Sequence, residues 1–388
     1  MKNILYLFST ADTSVAKVAL NQINALRKYY PDLNIKIACV NYYPEGSLIE
    51  DEIFFYKKKY CYNQILNYFK SIFFVRKVKC SFKPDITISN LGAVNAYNAL
   101  LGKEIKIGIF HAPMIQFNQK NIISKSLNFL ALRLLYQKLD GIIGISQEVV
   151  NDLKVHKVND DIQLEYNIHD FDQIDKIKDE LIDENLFGTK RQREILCLGM
   201  IDRNKRQDLI IKSLCSLDDT ILYIVGKVLD ENYYNELLNL IEVLGIIERV
   251  RFIPFMNNPY PLIQRVDVLI SSSISEGLPG VIIESLYLNT PVLCTNSSLG
   301  IWEIFNKKEI YNSKLNNVEF CEKGIIIPNP NHITEDLMIK IIVNTISYIY
   351  RNNRYYKINE FFFSEKISEN NIISFYNFLK KKYNENSN

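Results

Sequence analysis

The chain has 388 residues, of which 47% are hydrophobic and 23% are charged, as expected for a soluble globular protein of about two domains. No apolar run approaches the roughly 20 residues of a membrane span, and the run near the start is too short for a signal peptide. Seven scattered cysteines without a C-x-x-C pair exclude a disulfide framework and a zinc ribbon, and they indicate a reducing cytoplasm.

The net charge of +2 conceals an uneven distribution of charge. Residues 1–139 contain 19 Lys and Arg against 8 Asp and Glu, whereas residues 140–388 contain 27 against 36. Residues 53–84 alone carry eight basic residues and no acid. This excess indicates an anionic partner for the first half, either nucleic acid or an anionic lipid, with a solvated basic face as the alternative.

Short apolar runs alternate with amphipathic stretches, which is the pattern of βα units in a parallel sheet. The first series of predicted strands lies at 4–8, 35–40, 86–89, 105–110 and 141–146. The second series lies at 194–199, 220–226, 249–255, 266–273 and 290–295. The polar stretch 176–194 between them is a predicted hinge.

The two series predict two Rossmann-like domains, at 1–185 and 190–355, followed by a helical segment at 356–388. Ligands of such sheets bind beyond the carboxyl ends of the strands. With two such sheets, the cleft between them is the expected active site.

The segment 266–295 carries the most informative motif of the chain. A predicted strand is followed by a loop and then by the first turn of a helix, whose amide groups suit a phosphate. The predicted ligand-binding residues of this loop and turn are Gly277, Leu278, Pro279, Gly280, Val281 and Ile282. Glu276 precedes the helix and Glu284 lies inside it, and both carboxylates suit sugar hydroxyls.

This motif resembles the E-x7-E region of the group 1 retaining glycosyltransferases of family 4, which have the GT-B fold. The resemblance is specific after residue 195, where it includes 198–214, 221–227, 244–255, 260–273, 297–305 and 323–337. It is thinner in the first half, at 83–89, 109–113, 138–146 and 165–170.

The resemblance implies two Rossmann-like domains facing each other across a cleft, with a C-terminal helix that returns to the first domain. It also implies transfer of a sugar, with retention, from a nucleotide-diphosphate sugar to a glycan or lipid-linked acceptor. The domain at 1–185 would bind the acceptor, and the domain at 190–355 would bind the nucleotide sugar. A UDP-sugar is favoured, and the expected setting is bacterial surface polysaccharide synthesis. The alternatives are a nucleotide-sugar epimerase or hydrolase on the same fold and a non-catalytic subunit of a polysaccharide-assembly complex.

The resemblance also assigns roles to individual residues. Glu276, His111 and Lys205 correspond to catalytic positions, with His111 against the donor sugar and Lys205 against the diphosphate. Glu284 is the expected ribose ligand, and Gly199 and Arg203 complete the donor site.

Two departures from the family pattern affect these roles. Met200 stands where the family often has an arginine, so the positive charge must come from Lys205 with Arg203. The family's first loop is usually rich in glycine, whereas the loop 9–14 contains none and leaves Asp12 and Thr13 as polar substitutes on the acceptor side.

We expect no metal or other cofactor. Asp170 and Asp172 form a D-x-D pair, but lysine and helix-dipole charges already provide for the diphosphate. Phosphate-binding motifs of the G-x-x-x-x-G-K-[ST] and G-x-G-x-x-G types are also absent from the sequence.

The stretch 62–83 combines aromatic and basic residues with helical spacing. Its apolar side contains Ile65, Leu66, Phe69, Ile72 and Phe73. This composition suits an anionic membrane interface, which predicts a cytoplasmic protein at the inner face of the plasma membrane. The alternative is a helix packed on its sheet with its lysines in water. Nucleic acid is not expected because no binding motif accompanies the charge.

Overall fold

The computed structural model describes residues 1–10, 14–42, 53–55, 64–114, 132–182, 193–321, 324–352 and 365–387, which form two compact units. The first unit consists of Met1–Asp170 and Glu365–Asn388, and the second of Phe171–Ser364. Among the helices in these ranges, none is long and apolar enough to cross a bilayer.

The first unit contains a parallel sheet in the order β3-β2-β1-β4-β5-β6-β7. The strands are β1 (Asn3–Thr10), β2 (Asn34–Tyr42), β3 (Ile53–Phe55), β4 (Ile86–Asn90), β5 (Ile105–Phe110), β6 (Gly141–Gly144) and β7 (Ile162–Leu164). The helices before the second unit are α1 (Ser14–Tyr29), α2 (Gln64–Phe82), α3 (Gly92–Leu100) and α4 (Gln147–Val155). The central strand β1 is buried from Ile4 to Phe8, as expected for a strand with both faces covered.

The second unit repeats this architecture in the order β10-β9-β8-β11-β12-β14-β13, parallel except for the antiparallel pair β13–β14. Its strands are β8 (Arg193–Leu198), β9 (Thr220–Val225), β10 (Val250–Ile253), β11 (Val268–Ser271), β12 (Val292–Thr295), β13 (Glu319–Cys321) and β14 (Gly324–Ile327). Its helices are α5 (Phe171–Ile177), α6 (Gln207–Ser213), α7 (Glu231–Val243), α8 (Tyr260–Arg265), α9 (Gly280–Tyr287), α10 (Leu299–Ile304) and α11 (Glu335–Arg351). The two predicted Rossmann-like sheets are therefore confirmed.

The structure divides the chain between Asp170 and Phe171, whereas the sequence analysis placed the division at 185–190. Helix α5 accounts for the difference because it packs on the second unit. The Phe171 ring lies 4.3 Å from the Tyr287 ring, and the Tyr287 hydroxyl donates to Asp175 over 2.7 Å. The polar stretch that predicted the hinge thus begins inside α5, and residues 183–192 lie outside the described ranges.

The last helix, α12 (Glu365–Ser387), belongs to the first unit, which confirms the predicted return of the C-terminal helix. The ring of Tyr376 stacks on that of Tyr30 with 3.6 Å between the centroids, and Lys382 forms an ion pair with Asp161. These contacts tie the end of the chain to α1 and to the loop before β7.

Candidate active site

The candidate site of the second unit lies beyond the carboxyl ends of β8 and β11. These strands are parallel neighbours, so the loops 199–206 and 272–279 that follow them lie side by side. Several hydrogen bonds to backbone atoms connect the two loops. The Asn204 side chain donates to Ser275 O over 2.9 Å and accepts from Ser275 N over 3.1 Å. Ile274 N donates to Asn204 O over 2.8 Å, and the Ser272 hydroxyl donates to Lys205 O over 2.6 Å.

This connection brings together two of the predicted catalytic residues. Lys205 Nζ lies 2.5 Å from Glu276 Oε1, and the two side chains are 24% and 15% exposed. Burial lowers the pKa of Lys205, but the carboxylates of Glu276 and Asp202 outweigh that effect, so its pKa lies above the ordinary value. Lys205 is therefore a fixed, partly accessible cation throughout the neutral pH range.

Glycines at the ends of β8 and β9 allow the first of these loops to form. Gly199 and Gly226 both have φ of +155°, which side chains rarely tolerate. A Cβ on Gly226 would also collide with the carbonyl oxygen of Gly199. The close approach of the two strand ends therefore depends on glycine at Gly226.

The loop around Glu276 is held from its other side by strand and helix ends. The Ser298 hydroxyl donates to Gly277 O over 3.1 Å, and a Cβ on Gly300 would collide with that carbonyl. Asn329 Nδ2 donates to Ile274 O over 2.7 Å. The Glu276 loop is thus fixed before any ligand arrives, which favours precise placement of a charged group.

Helix α9 begins at Gly280, after Pro279, and within the described part of the chain no side chain caps this end. Its first turn contains no acidic residue, so its amide groups form an electropositive end. The predicted ligand residues Leu278 and Ile282 have buried side chains, with 5% and 0% exposure. Any contact that they make with a ligand must come from their backbone.

Glu284 lies in the second turn of α9 and is 8% exposed. Its Oε1 is 3.5 Å from the hydroxyl of Tyr260. A nearly buried carboxylate on the helix whose start faces the Glu276 loop is suited to a specific, paired hydrogen bond rather than to solvation.

Arg203 does not join the Lys205–Glu276 pair. It forms ion pairs with Glu236 at 2.5 Å and Asp230 at 3.5 Å, and its guanidinium lies over the Tyr233 ring. Of the two cations predicted to contact the diphosphate, Lys205 is therefore the one that pairs with Glu276. The backbone carbonyl of Met200, at the position where the family often has an arginine, accepts a hydrogen bond from Gln207 Nε2 over 2.9 Å.

In the first unit, His111 follows β5 and is half-buried. Its Nε2 lies 3.0 Å from Asn90 Oδ1, at the end of the neighbouring strand β4. Burial lowers the pKa of His111 to about 4, so the imidazole is neutral at neutral pH. The predicted acceptor-side residues Asp12 and Thr13 lie outside the described residues.

Helix α2 carries the described part of the basic segment 53–84. Phe69 and Phe73 are 66% and 70% exposed, and Arg76 and Lys77 are exposed beside them. They line an open groove of about 1030 Å³. Phe69 and Phe73 of the predicted apolar side are therefore on the surface, whereas Ile72 of that side packs against the core together with Val75 and Val78. The side chains of Ile65 and Leu66 lie outside the described part of the chain.

One of the eight basic residues assigned to this surface is in fact buried, so that assignment was wrong for Lys79. Its ammonium lies 2.6 Å from Glu104 and donates to Asn98 over 2.7 Å. Burial lowers the pKa of Lys79 to about 8, against the opposing effect of Glu104. Lys79 is buried because it lies on the side of α2 that faces α3.

Sequence spacing alone did not indicate the residues that hold the two loops together. Asn204, Ser272 and Asn329 each act through bonds to backbone atoms of the Glu276 or Lys205 loop. Such residues have no periodic pattern, and only the adjacency of β8, β11, β12 and β14 in the sheet brings them to the same place.

Comparison with known proteins shows that this chain is similar to glycosyltransferases. The family model of the group 1 glycosyl transferases matches residues 178–336, which contain both loops, α9 and Glu284. Solved structures share the whole fold: HepE of Anabaena, determined with UDP and glucose, has a TM-score of 0.72 and 15% identity over 99% of this chain and 100% of its own.

Two curated relatives come from Campylobacter jejuni. One is a 4-alpha-N-acetylgalactosaminyltransferase named for a diphospho-undecaprenol substrate, 30% identical over 49% of this chain and 50% of its own length. The other is an alpha-1,4-N-acetyl-D-galactosaminyltransferase named for a PP-undecaprenol substrate, 26% identical over 89% of both chains. The chain thus spans about half of the first relative and about nine tenths of the second.

Proposed function

We propose that this chain is a group 1 glycosyl transferase of the GT-B fold, which transfers a sugar from a UDP-sugar, with retention, to a lipid-linked glycan. The observation that carries the proposal is the Lys205–Glu276 pair, 2.5 Å apart, at the electropositive start of α9. The relatives named for undecaprenol-linked substrates support the acceptor class, and surface polysaccharide assembly is the proposed setting.

The proposed chemistry breaks the bond between the anomeric carbon and the diphosphate and forms a bond to an acceptor hydroxyl oxygen. The hydroxyl proton passes to the departing diphosphate oxygen. Lys205 and the first turn of α9 stabilise the negative charge on the diphosphate, while Glu276 accepts from donor-sugar hydroxyls and Glu284 from the ribose. His111 contacts the donor sugar as a neutral imidazole. We propose that no metal is required, since these groups supply the positive charge.

A panel of nucleotide sugars tests this function directly. We expect a UDP-sugar to bind, to be hydrolysed slowly alone, and to be consumed faster with a polyprenyl-diphosphate-linked acceptor, with or without a chelator. Hydrolysis that no acceptor accelerates would favour a hydrolase. Binding without turnover would favour a non-catalytic subunit, and loss of turnover in chelator would contradict the metal-independent reaction.

Replacement of Glu284 by glutamine is expected to weaken UDP binding by about tenfold or more. The substitution removes the charge of a buried acceptor, and a hydrogen bond to a charged group contributes about 1.5–3 kcal/mol. Calorimetric titration with UDP measures the effect. Glu242→Gln, at an exposed position of α7, is the matched control and should bind UDP normally. Equal affinities for the two variants would contradict the ribose contact.

We further propose that the surface formed by Phe69, Lys70, Phe73, Arg76 and Lys77 on α2, here called the α2 surface, attaches the protein to the anionic inner face of the plasma membrane. The exposed aromatic rings suit the acyl region, and the cations suit the anionic head groups. The buried Lys79 has no part in this contact.

Flotation with liposomes is expected to show binding to anionic vesicles, weak binding to neutral vesicles, and partial release at high salt. Each cation near an anionic surface contributes about 1 kcal/mol, so glutamine at Lys70, Arg76 and Lys77 should weaken binding strongly. The same change at Lys138, Lys154 and Lys157, exposed elsewhere in the first unit, removes equal charge and should have a smaller effect. Equal losses of vesicle binding in the two triple variants would indicate a general effect of charge rather than a specific contact through the α2 surface.

A further inference from the structure

Asn90 is a buried side chain at the edge of the first sheet where His111 lies. It ends β4, is 1% exposed, and its Oδ1 lies 3.0 Å from His111 Nε2. A carbonyl oxygen can only accept, so this contact requires a hydrogen on Nε2. The neutral ring then carries its lone pair on Nδ1.

The surroundings of Asn90 do not maximise stability. Within the described residues, Asn90 Nδ2 is buried and has no hydrogen-bond partner. The next residue, Leu91, has φ of +74°, in a region that a leucine rarely adopts. Unsatisfied buried donors and strained backbones of this kind concentrate at functional positions.

Asn98, a nearby buried asparagine on α3, shows the contrasting structural case. Its Nδ2 donates to the carbonyl oxygens of Thr87 and Ile107 and to the Ser89 hydroxyl, and its Oδ1 accepts from Lys79. The amide of Asn98 thus has partners on both sides, whereas that of Asn90 is directed at one imidazole nitrogen.

We infer that Asn90 is a positioning residue that holds His111 in the Nε2-protonated tautomer, so that Nδ1 is the ring's acceptor for a substrate hydroxyl. The catalytic part of this inference rests on the proposed function, while the tautomer does not. The low pKa of His111 keeps the ring neutral at working pH, and only a neutral ring has a tautomer to select.

Nitrogen-15 NMR of the histidine-labelled full chain measures the tautomer without any substrate. The sequence has only four histidines, and His111→Gln identifies the signal of interest. We expect Nε2 to be protonated in the wild type and in Asn90→Asp, which keeps the acceptor, and the preference to be lost in Asn90→Leu. Asn95→Leu, at a buried asparagine that bonds Ile109 O instead, is the control and should leave the tautomer unchanged.

Protonation of Nδ1 in the wild type, or an unchanged tautomer in Asn90→Leu, would overturn the inference. The wild-type measurement decides it even if Asn90→Leu does not fold. These readouts do not depend on turnover, so failure of the proposed function leaves them interpretable.

A double-mutant cycle tests the link to catalysis. We expect Asn90→Leu to lower kcat by about 10- to 100-fold, the effect seen when the orienting partner of a metal-bound histidine is removed. In the His111→Ala background the same substitution should have little further effect, because Asn90 acts through the ring. Additive losses would show that Asn90 acts independently of His111.

Discussion

Replacement of Lys205 by methionine is expected to lower kcat/KM by about 100-fold or more with the fold intact. Loss of one preorganised group that stabilises developing charge costs about 10²–10³ in rate. Lys205 is such a group, because Asn204 and Ser272 fix the loops around it and Glu276 holds its ammonium in place. Steady-state kinetics with a UDP-sugar measures the change.

Lys212→Met is the matched control for this prediction. Lys212 also lies in the second unit and forms a 2.5 Å ion pair, but with Glu335 on α11. It should retain activity within about twofold, since surface ion pairs contribute about 0–1 kcal/mol. Comparable losses in the two variants would mean that Lys205 serves only the stability of the unit.

The pKa of Lys205 adds a pH test to the same prediction. A lysine whose folded-state pKa is raised keeps its charge, and the stability that the charge contributes, below its ordinary pKa. Both are lost only as the pH rises through the raised value. Between pH 7 and 9, therefore, deprotonation of Lys205 should cause no decline in activity. A decline in this range that moves to higher pH in Lys205→Arg would contradict this assignment.

Replacement of Glu276 by glutamine is expected to separate turnover from nucleotide binding. Turnover should fall by about 100-fold or more, because the carboxylate that positions Lys205 and the donor sugar is lost. Affinity for UDP should stay equal or increase, since the substitution removes a negative charge beside the diphosphate. Kinetics and calorimetry on the same preparation measure the two effects.

The opposite pattern is expected for Glu284→Gln, which should weaken UDP binding, so the two glutamates serve as controls for each other. A parallel fall of affinity and turnover in both variants would show that they act together on the nucleotide. Normal turnover in Glu276→Gln would remove Glu276 from the catalytic groups.

The alternation of apolar runs and amphipathic stretches was sufficient to predict both sheets. Every predicted strand corresponds to one in the structure, from β1 through β12. The strands β3, β7, β13 and β14 were not predicted; the first three are three-residue segments at sheet edges, and β14 has four residues. Such strands have too few residues for a period-two pattern, so pairing with a neighbouring strand defines them.

The sequence by itself determined the motif that contains Lys205, Glu276 and Glu284, because glycines, carboxylates and a strand–loop–helix order have local signatures. Only the tertiary structure decided which charges stand together. Arg203 and Lys205 are two residues apart, yet one pairs with α7 and the other with Glu276. Lys77 and Lys79 are equally close on α2, yet one is exposed and the other lies buried against Glu104. The physical reason is that a charge's partner is set by which strands and helices are neighbours in space, and that information is not local in the chain.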